Sequence, residues 1–306
     1  MKISRNALLS FDRAGTVHGF VWLLLFLGLG ASPLSLPAQP RANRPPPQFL
    51  QKAKTDQEEG RRILGQFRQA GLAGAYWIEF ELAVMPHQAA TRTLRGHLLG
   101  SRNNRGPVSR LVLDPGGDPS LKTTRWLLQS GTEPEAWRCE GVGDAVRSLT
   151  GADWFEPVAQ TDLSPFDLQM PFLYWDDFVF EGVAKVRGRM AHSFILYPPA
   201  SLATEHPALY GVRMLLDIEF NALLQAELLG QGGKPSKIIT ILGIKKIDGK
   251  WIMKSVDVRN ELTRGKTRFT VTAAALELTL PADFFEPGRL SSGSEPVVPP
   301  EVRIQF

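Results

Sequence analysis

From residue 210 onward the chain alternates. Val212, Met214, Leu216, Ile218 and Phe220 fall on one side of the pattern, with Arg213, Leu215, Asp217 and Glu219 between them. A period of two is that of a strand with one buried face. The same signature opens the folded part of the chain, where Tyr76, Ile78, Phe80, Leu82 and Val84 alternate with Trp77, Glu79, Glu81 and Ala83. Further strands are expected at 92–99, 109–113, 121–128, 136–139, 183–189, 191–197, 223–229, 237–247, 250–262 and 267–275. Asp248-Gly249 between two of them is a two-residue hairpin turn in which both residues take positive φ. Connections this short make the sheet an antiparallel meander. One helix is expected over 55–69, capped by Thr55 with Glu58 three residues on and carrying the stripe Ile63, Leu64 and Phe67.

Residues 141–176 break the pattern. They are rich in large apolar groups without alternation, and predict short helices and loops lying over the sheet, with Ser164 or Asp167 at a helix start. The stretch from Pro165 to Phe180 holds more aromatic surface than an exposed loop carries. Two readings of it stay open here: a plug that fills one face of the sheet, or a cover over an apolar cavity. On the second reading the contacts to an apolar ligand are Phe166, Met170, Phe172, Leu173, Trp175 and Phe178, with Met214 and Leu216 from the strand beneath.

The ends have a different character. Lys2, Arg5 and Arg13 precede an apolar run from Phe20 to Gly30 followed by small residues, the layout of a signal peptide and too short for the ~20 apolar residues of a spanning helix. Residues 1–38 are therefore expected to be an export leader, 39–48 a proline-rich tether, 49–290 the folded domain and 291–306 a loose tail. The leader carries three cations against Asp12, half of the formal net charge of +4. What remains is too weak a surplus to indicate nucleic acid. The single cysteine, Cys139, excludes an internal disulfide and is expected to be a buried apolar residue.

Candidate chemistry is sparse. His87, His97, His192 and His206 have no metal-ligand spacing, no serine sits in a nucleophile elbow, and no phosphate-binding glycine pattern follows a strand. An enzyme built from His97, Asp114 and a serine has no support in spacing. No catalytic residue, cofactor or metal is expected. Lys245, Lys246, Lys250, Lys254, Arg259, Arg264, Lys266 and Arg268 tint the last strands cationic, as the wet face of a half-buried sheet or as a surface for acidic headgroups.

Residues 150–290 resemble the outer-membrane lipoprotein-sorting, LolA-like family. The likeness is carried by Leu168-Gln169-Met170-Pro171-Phe172-Leu173-Tyr174-Trp175-Asp176-Asp177-Phe178 with Phe180-Glu181-Gly182, by Leu215-Leu216-Asp217, by the run from Gly249 to Val258, by Lys266-Thr267-Arg268-Phe269-Thr270-Val271 and by Asp283-Phe284-Phe285. Trp175-Asp176-Asp177 stands where the family favours a small residue first. The resemblance implies an α+β fold, an incomplete antiparallel β-barrel covered by helices on one side. It implies non-enzymatic, periplasmic carriage of acyl chains, with a lipid, a lipidated protein or an envelope membrane protein as partner. The alternative within the same fold is an envelope scaffold or stress-sensing module without small-molecule cargo.

Overall fold

The alternating segments all become strands of one sheet. The computed structural model describes residues 20–21, 56–69, 74–114 and 122–306; most of the leader, the tether and Thr55 lie outside the described residues. In chain order the elements are β1 (Phe20–Val21), α1 (Gln57–Gln69), β2 (Ala75–Met85), β3 (Arg92–Asn103), β4 (Gly106–Asp114), β5 (Thr124–Gln129), β6 (Glu135–Cys139), β7 (Arg147–Ser148), α2 (Pro165–Gln169), β8 (Phe178–Val186), β9 (Arg189–Leu196), α3 (Ala200–Glu205), β10 (Gly211–Asp217), β11 (Leu223–Leu229), β12 (Pro235–Ile247), β13 (Lys250–Asn260), β14 (Lys266–Leu278) and β15 (Ile304–Gln305).

The strand order is β7-β6-β5-β4-β3-β2-β14-β13-β12-β11-β10-β9-β8, with β1 beside β13 and β15 beside β14. Two meanders are thus joined where the last long strand pairs the first, Phe269 opposite Leu82. The sheet is curved and unclosed: β7 and β8, its two edges, do not pair. The fold is the incomplete antiparallel barrel that the family resemblance implies.

This order explains the segment without alternation. Residues 149–177 leave β7 at one edge and must reach β8 at the other, so they cross the inner face of the sheet. Leu149, Val158, Leu163, Phe166, Phe172 and Trp175 from the crossing share one core with Ile78 and Phe80 of β2, Phe194 of β9, Met214 of β10 and Phe269 of β14. Ser164 caps α2, its backbone N–H donating to Asp167 Oδ2 at 2.8 Å in a capping box. Met170 ends that helix in the left-handed region (φ 47°), since Pro171 bars it from continuing.

Polar ties fix the crossing to the sheet. Lys237 of β12 donates to the buried Asp167 at 2.5 Å, Thr267 of β14 bonds Asp162 at 2.9 Å, and Gln169 donates to the Glu135 carbonyl at 2.7 Å. Arg68 at the end of α1 donates to the carbonyls of Leu173 and Trp175, both at 2.6 Å.

Helix α1 buries Ile63, Leu64 and Phe67, the stripe expected from the sequence. Its cap is Asp56, which accepts from the Glu58 N–H at 2.9 Å. At its start Gln57 exchanges two hydrogen bonds with the backbone of Phe180 (2.9 and 2.8 Å), closing part of the open edge of β8. The approach is close because residue 60 is glycine: a Cβ there would stand 2.6 Å from Phe180 Cβ. Alanine normally stabilises a helix interior by about 1 kcal/mol over glycine. Here overpacking of about 1–3 kcal/mol opposes it. Gly60→Ala is expected to lower the urea midpoint; a raised midpoint would show that α1 does not seat this closely.

The other face of the first meander is covered by the C-terminal residues. Phe284 and Val298 pack on Trp77, Leu99 and Ala275, and Leu290 packs on Val108, Leu127 and Cys139. Cys139 is buried. His97 Nε2 hydrogen-bonds the Glu295 carboxylate, and the Phe306 N–H donates to the Thr272 carbonyl at 3.0 Å. Residues 291–306, expected as a loose end, run along the sheet because Val298, Ile304 and Phe306 find apolar or strand partners there.

Candidate functional site

The eight residues proposed from the sequence as ligand contacts come together. Phe166, Met170, Phe172, Leu173, Trp175, Met214 and Leu216 are all buried in the main core, and Phe178 packs half-buried against it. Their rings touch one another: Phe166 lies 6.0 Å from Phe172 and 6.1 Å from Trp175, centroid to centroid. Of the two readings left open above, the plug describes how these side chains sit. Phe172, Met214 and Leu216 are 0% exposed. Phe166 and Trp175 also line an opening, a cleft of about 990 Å³ between the crossing and the stretch from Tyr197 to Glu205.

A second, more apolar opening lies elsewhere. It is a pocket of about 260 Å³ at the tips of the second meander, walled by Phe220, Leu223, Leu224, Ile241, Leu242 and Ile244. Its origin is a mismatch of strand lengths. Strand β11 begins at Leu223 and pairs β12 only as far as Gln225 opposite Thr240. Beyond Thr240, β12 continues with β13 as its partner, and the register shifts on both sides of Gly243. Such bulges kink a strand and re-aim its side chains. On the side away from β13, Ile241, Leu242 and Ile244 therefore face the tips of neighbouring hairpins across a gap. None of these residues was singled out from the sequence. The signal was present in the run Ile238-Ile239-Thr240-Ile241-Leu242-Gly243-Ile244, which has too many apolar residues for simple alternation and a glycine where the kink falls.

Arginine stands on the rim. Arg187 (φ 49°) and Gly188 (φ 85°) form the β8–β9 turn, the positive-φ pair of a tight hairpin. Arg187 is exposed and donates to the Ile241 carbonyl at 3.3 Å. Arg189 beside it is held by the fold: it pairs with Asp217 and lies 5.1 Å over the Phe220 ring. Asp217 also accepts from the N–H groups of Glu219 and Phe220, both at 2.9 Å, which shapes the β10–β11 turn. Burial works against the Asp217 carboxylate, but Arg189 and these two donors outweigh it and hold its pKa below the usual carboxylate range. The pocket is thus apolar inside with a guanidinium at its mouth.

Of the remaining histidines, His206 has a structural partner. His206 meets the Gly151 carbonyl at 3.2 Å and lies against Phe155. Asp257 on the cationic strands is gripped by Arg268 at 2.7 and 2.9 Å. Among the described residues no helix is long and apolar enough to cross a membrane.

Comparison with known proteins locates the fold. A family profile described only as an uncharacterized protein matches residues 142–292. No curated protein matches the chain. Among solved structures, a DUF1329 family protein from Desulfovibrio piger superposes with a TM-score of 0.67 at 17% identity, covering 76% of this chain and 98% of its own. An outer membrane lipoprotein-sorting protein domain from Vibrio parahaemolyticus gives 0.63 at 17% identity, over 77% of this chain and all of its own. A LolA superfamily protein from Nitrosomonas europaea gives 0.55 at 12% identity, over 74% and 96%. At these identities the likeness is one of architecture. The resemblance read from residues 150–290 therefore stands as a likeness of fold, and the chain has the LolA-like fold shared by these proteins.

Proposed function

We propose that this protein binds an amphiphile with an acyl tail and an anionic head. The tail enters the pocket between Phe220, Leu224, Ile241 and Ile244, and the head meets Arg187. The observation that carries this reading is the apolar gap beyond the end of β11 with an exposed guanidinium at its mouth. Each methylene buried contributes about 0.8 kcal/mol, so a tail inserted by roughly eight carbons gains about 6 kcal/mol before the costs of immobilisation. The LolA-like fold supports the reading by its architecture. On this reading the chain is exported through the leader of residues 1–38 and works in the cell envelope without a catalytic step, on a lipid or a lipidated protein.

The test uses a dansylated fatty acid and a fatty alcohol of equal length. Ile244 is 41% exposed, so Ile244→Asp places a carboxylate in the pocket wall with little demand on folding. Binding of both probes is expected to weaken at least tenfold in this variant. Arg187→Glu should weaken the acid and spare the alcohol. Non-saturable fluorescence with wild-type protein, together with native material free of lipid by mass spectrometry, removes the proposal.

A further inference from the structure

The cleft of about 990 Å³ shares no lining residue with the apolar pocket and differs from it in the charge on its rim. Three carboxylates, Asp176, Asp177 and Glu205, stand along it, and no Lys or Arg is among its described lining residues. Arg68 pairs with Asp176 through Nη1 at 3.6 Å, while its Nε and Nη2 serve the carbonyls of Leu173 and Trp175, so a second guanidinium would share this exposed carboxylate with it. The Asp176 side chain is 90% exposed, and Glu205 is exposed as well. Between the acids the wall is aromatic, with half-buried Trp154 and Tyr174 beside Trp175. Burial pushes the Tyr174 phenol well above its ordinary pKa, against the opposing pull of Arg102 and Arg68.

An acyl chain would leave the carboxylates facing hydrocarbon, and a small cation would leave most of the volume and the rings unused. Rings interleaved with acids match a chain in which rigid apolar residues alternate with cations. Proline-rich segments dock aromatic grooves in an extended form that loses little entropy on binding. Arginine pairs with carboxylates bidentately and stacks on aromatic faces. We propose that this cleft binds an extended, proline-rich and arginine-bearing segment of a partner protein, its guanidinium groups on Asp176 and Glu205 and its proline rings on Trp154 and Tyr174. The site is independent of amphiphile binding at the other end of the sheet.

The experiment is fluorescence anisotropy with the full chain and a labelled peptide, Pro-Pro-Arg-Pro-Pro-Arg-Pro-Pro. A second peptide has its prolines replaced by glycine and serine at the same charge. The expected result is saturable binding of the first peptide, at least tenfold tighter than the second. Asp176→Asn with Glu205→Gln should weaken it at least tenfold, and Trp154→Ala should weaken it separately. The Asn/Gln variant should keep the far-UV circular dichroism and the dansyl-acid binding of the parent. No saturable binding, equal binding of both peptides, or full binding by the Asn/Gln variant overturns the proposal.

Discussion

Phe172→Ala should lower the unfolding free energy by about 3–5 kcal/mol, the range for a large aromatic side chain removed from a packed core. The residue has no exposed surface. Its ring lies edge-on to Trp175 with centroids 6.3 Å apart and is tilted against Phe166. The magnitude follows from position as well as size. Phe172 belongs to the segment that crosses from β7 to β8, and the crossing packs against strands of both meanders. The polar ties from Arg68, Gln169 and Lys237 hold the segment down, so the structure cannot collapse fully into the space left, and the cavity term stays large. Urea denaturation followed by tryptophan fluorescence measures the effect. A change below about 1 kcal/mol would mean that this segment behaves as a loose cover over empty space.

The second large effect is expected at Arg213. This guanidinium is 1% exposed and donates to Glu181 and Glu227, both at 3.0 Å. Ser193 adds a bond to Glu181 at 2.7 Å, and Gln225 one to Glu227, also at 2.7 Å. The group lies on the face of β8–β11 opposite Met214, and the pairs run across neighbouring strands. Desolvation opposes the charge on Arg213, but the two carboxylates outweigh it and raise its pKa further. Arg213→Ala leaves two acids facing each other in the interior, which costs about 3–5 kcal/mol. The double change Arg213→Met with Glu181→Leu removes charge and counter-charge together, and most of that loss should return. A double-mutant cycle in urea decides the point. If the single and double variants are equally unstable, the cost arises from packing at residue 213 rather than from the uncompensated charge on Glu181.

Neither Arg213 nor Phe172 had a role assigned by its position in the alternating pattern alone. Arg213 occupies a strand position that period-two counting sends to solvent, yet it is buried among Glu181, Ser193 and Glu227 of the neighbouring strands. Phe172 falls where no period is visible. By contrast the expected turn at Asp248-Gly249 is found, with φ of 46° and 78°. Ser164 caps its helix as its spacing to Asp167 implies. The α1 stripe of Ile63, Leu64 and Phe67 is buried. These features depend on residues within a few positions of one another, so the chain displays them directly.

The candidate sites divide in the same way. The aromatic content of residues 165–180 marked an apolar region, and its members do assemble. The pocket under Arg187 arises from the unequal lengths of β11 and β12 and from a bulge at Gly243. The cleft brings Trp154 and Asp176 of the crossing together with Glu205 of α3. Neither opening belongs to one segment.

The sequence by itself determined most of the strands, one apolar face of each, the helix and the tight turns, because backbone geometry converts a local period into a face. It also displayed the LolA-like pattern in the second half. Only the tertiary structure decided that β14 closes onto β2, that residues 149–177 cross the inner face, and that the C-terminal residues line the outer one. Those outcomes turn on which distant apolar surfaces meet and on where one strand ends before its neighbour. Contacts between residues a hundred positions apart leave no period in the chain.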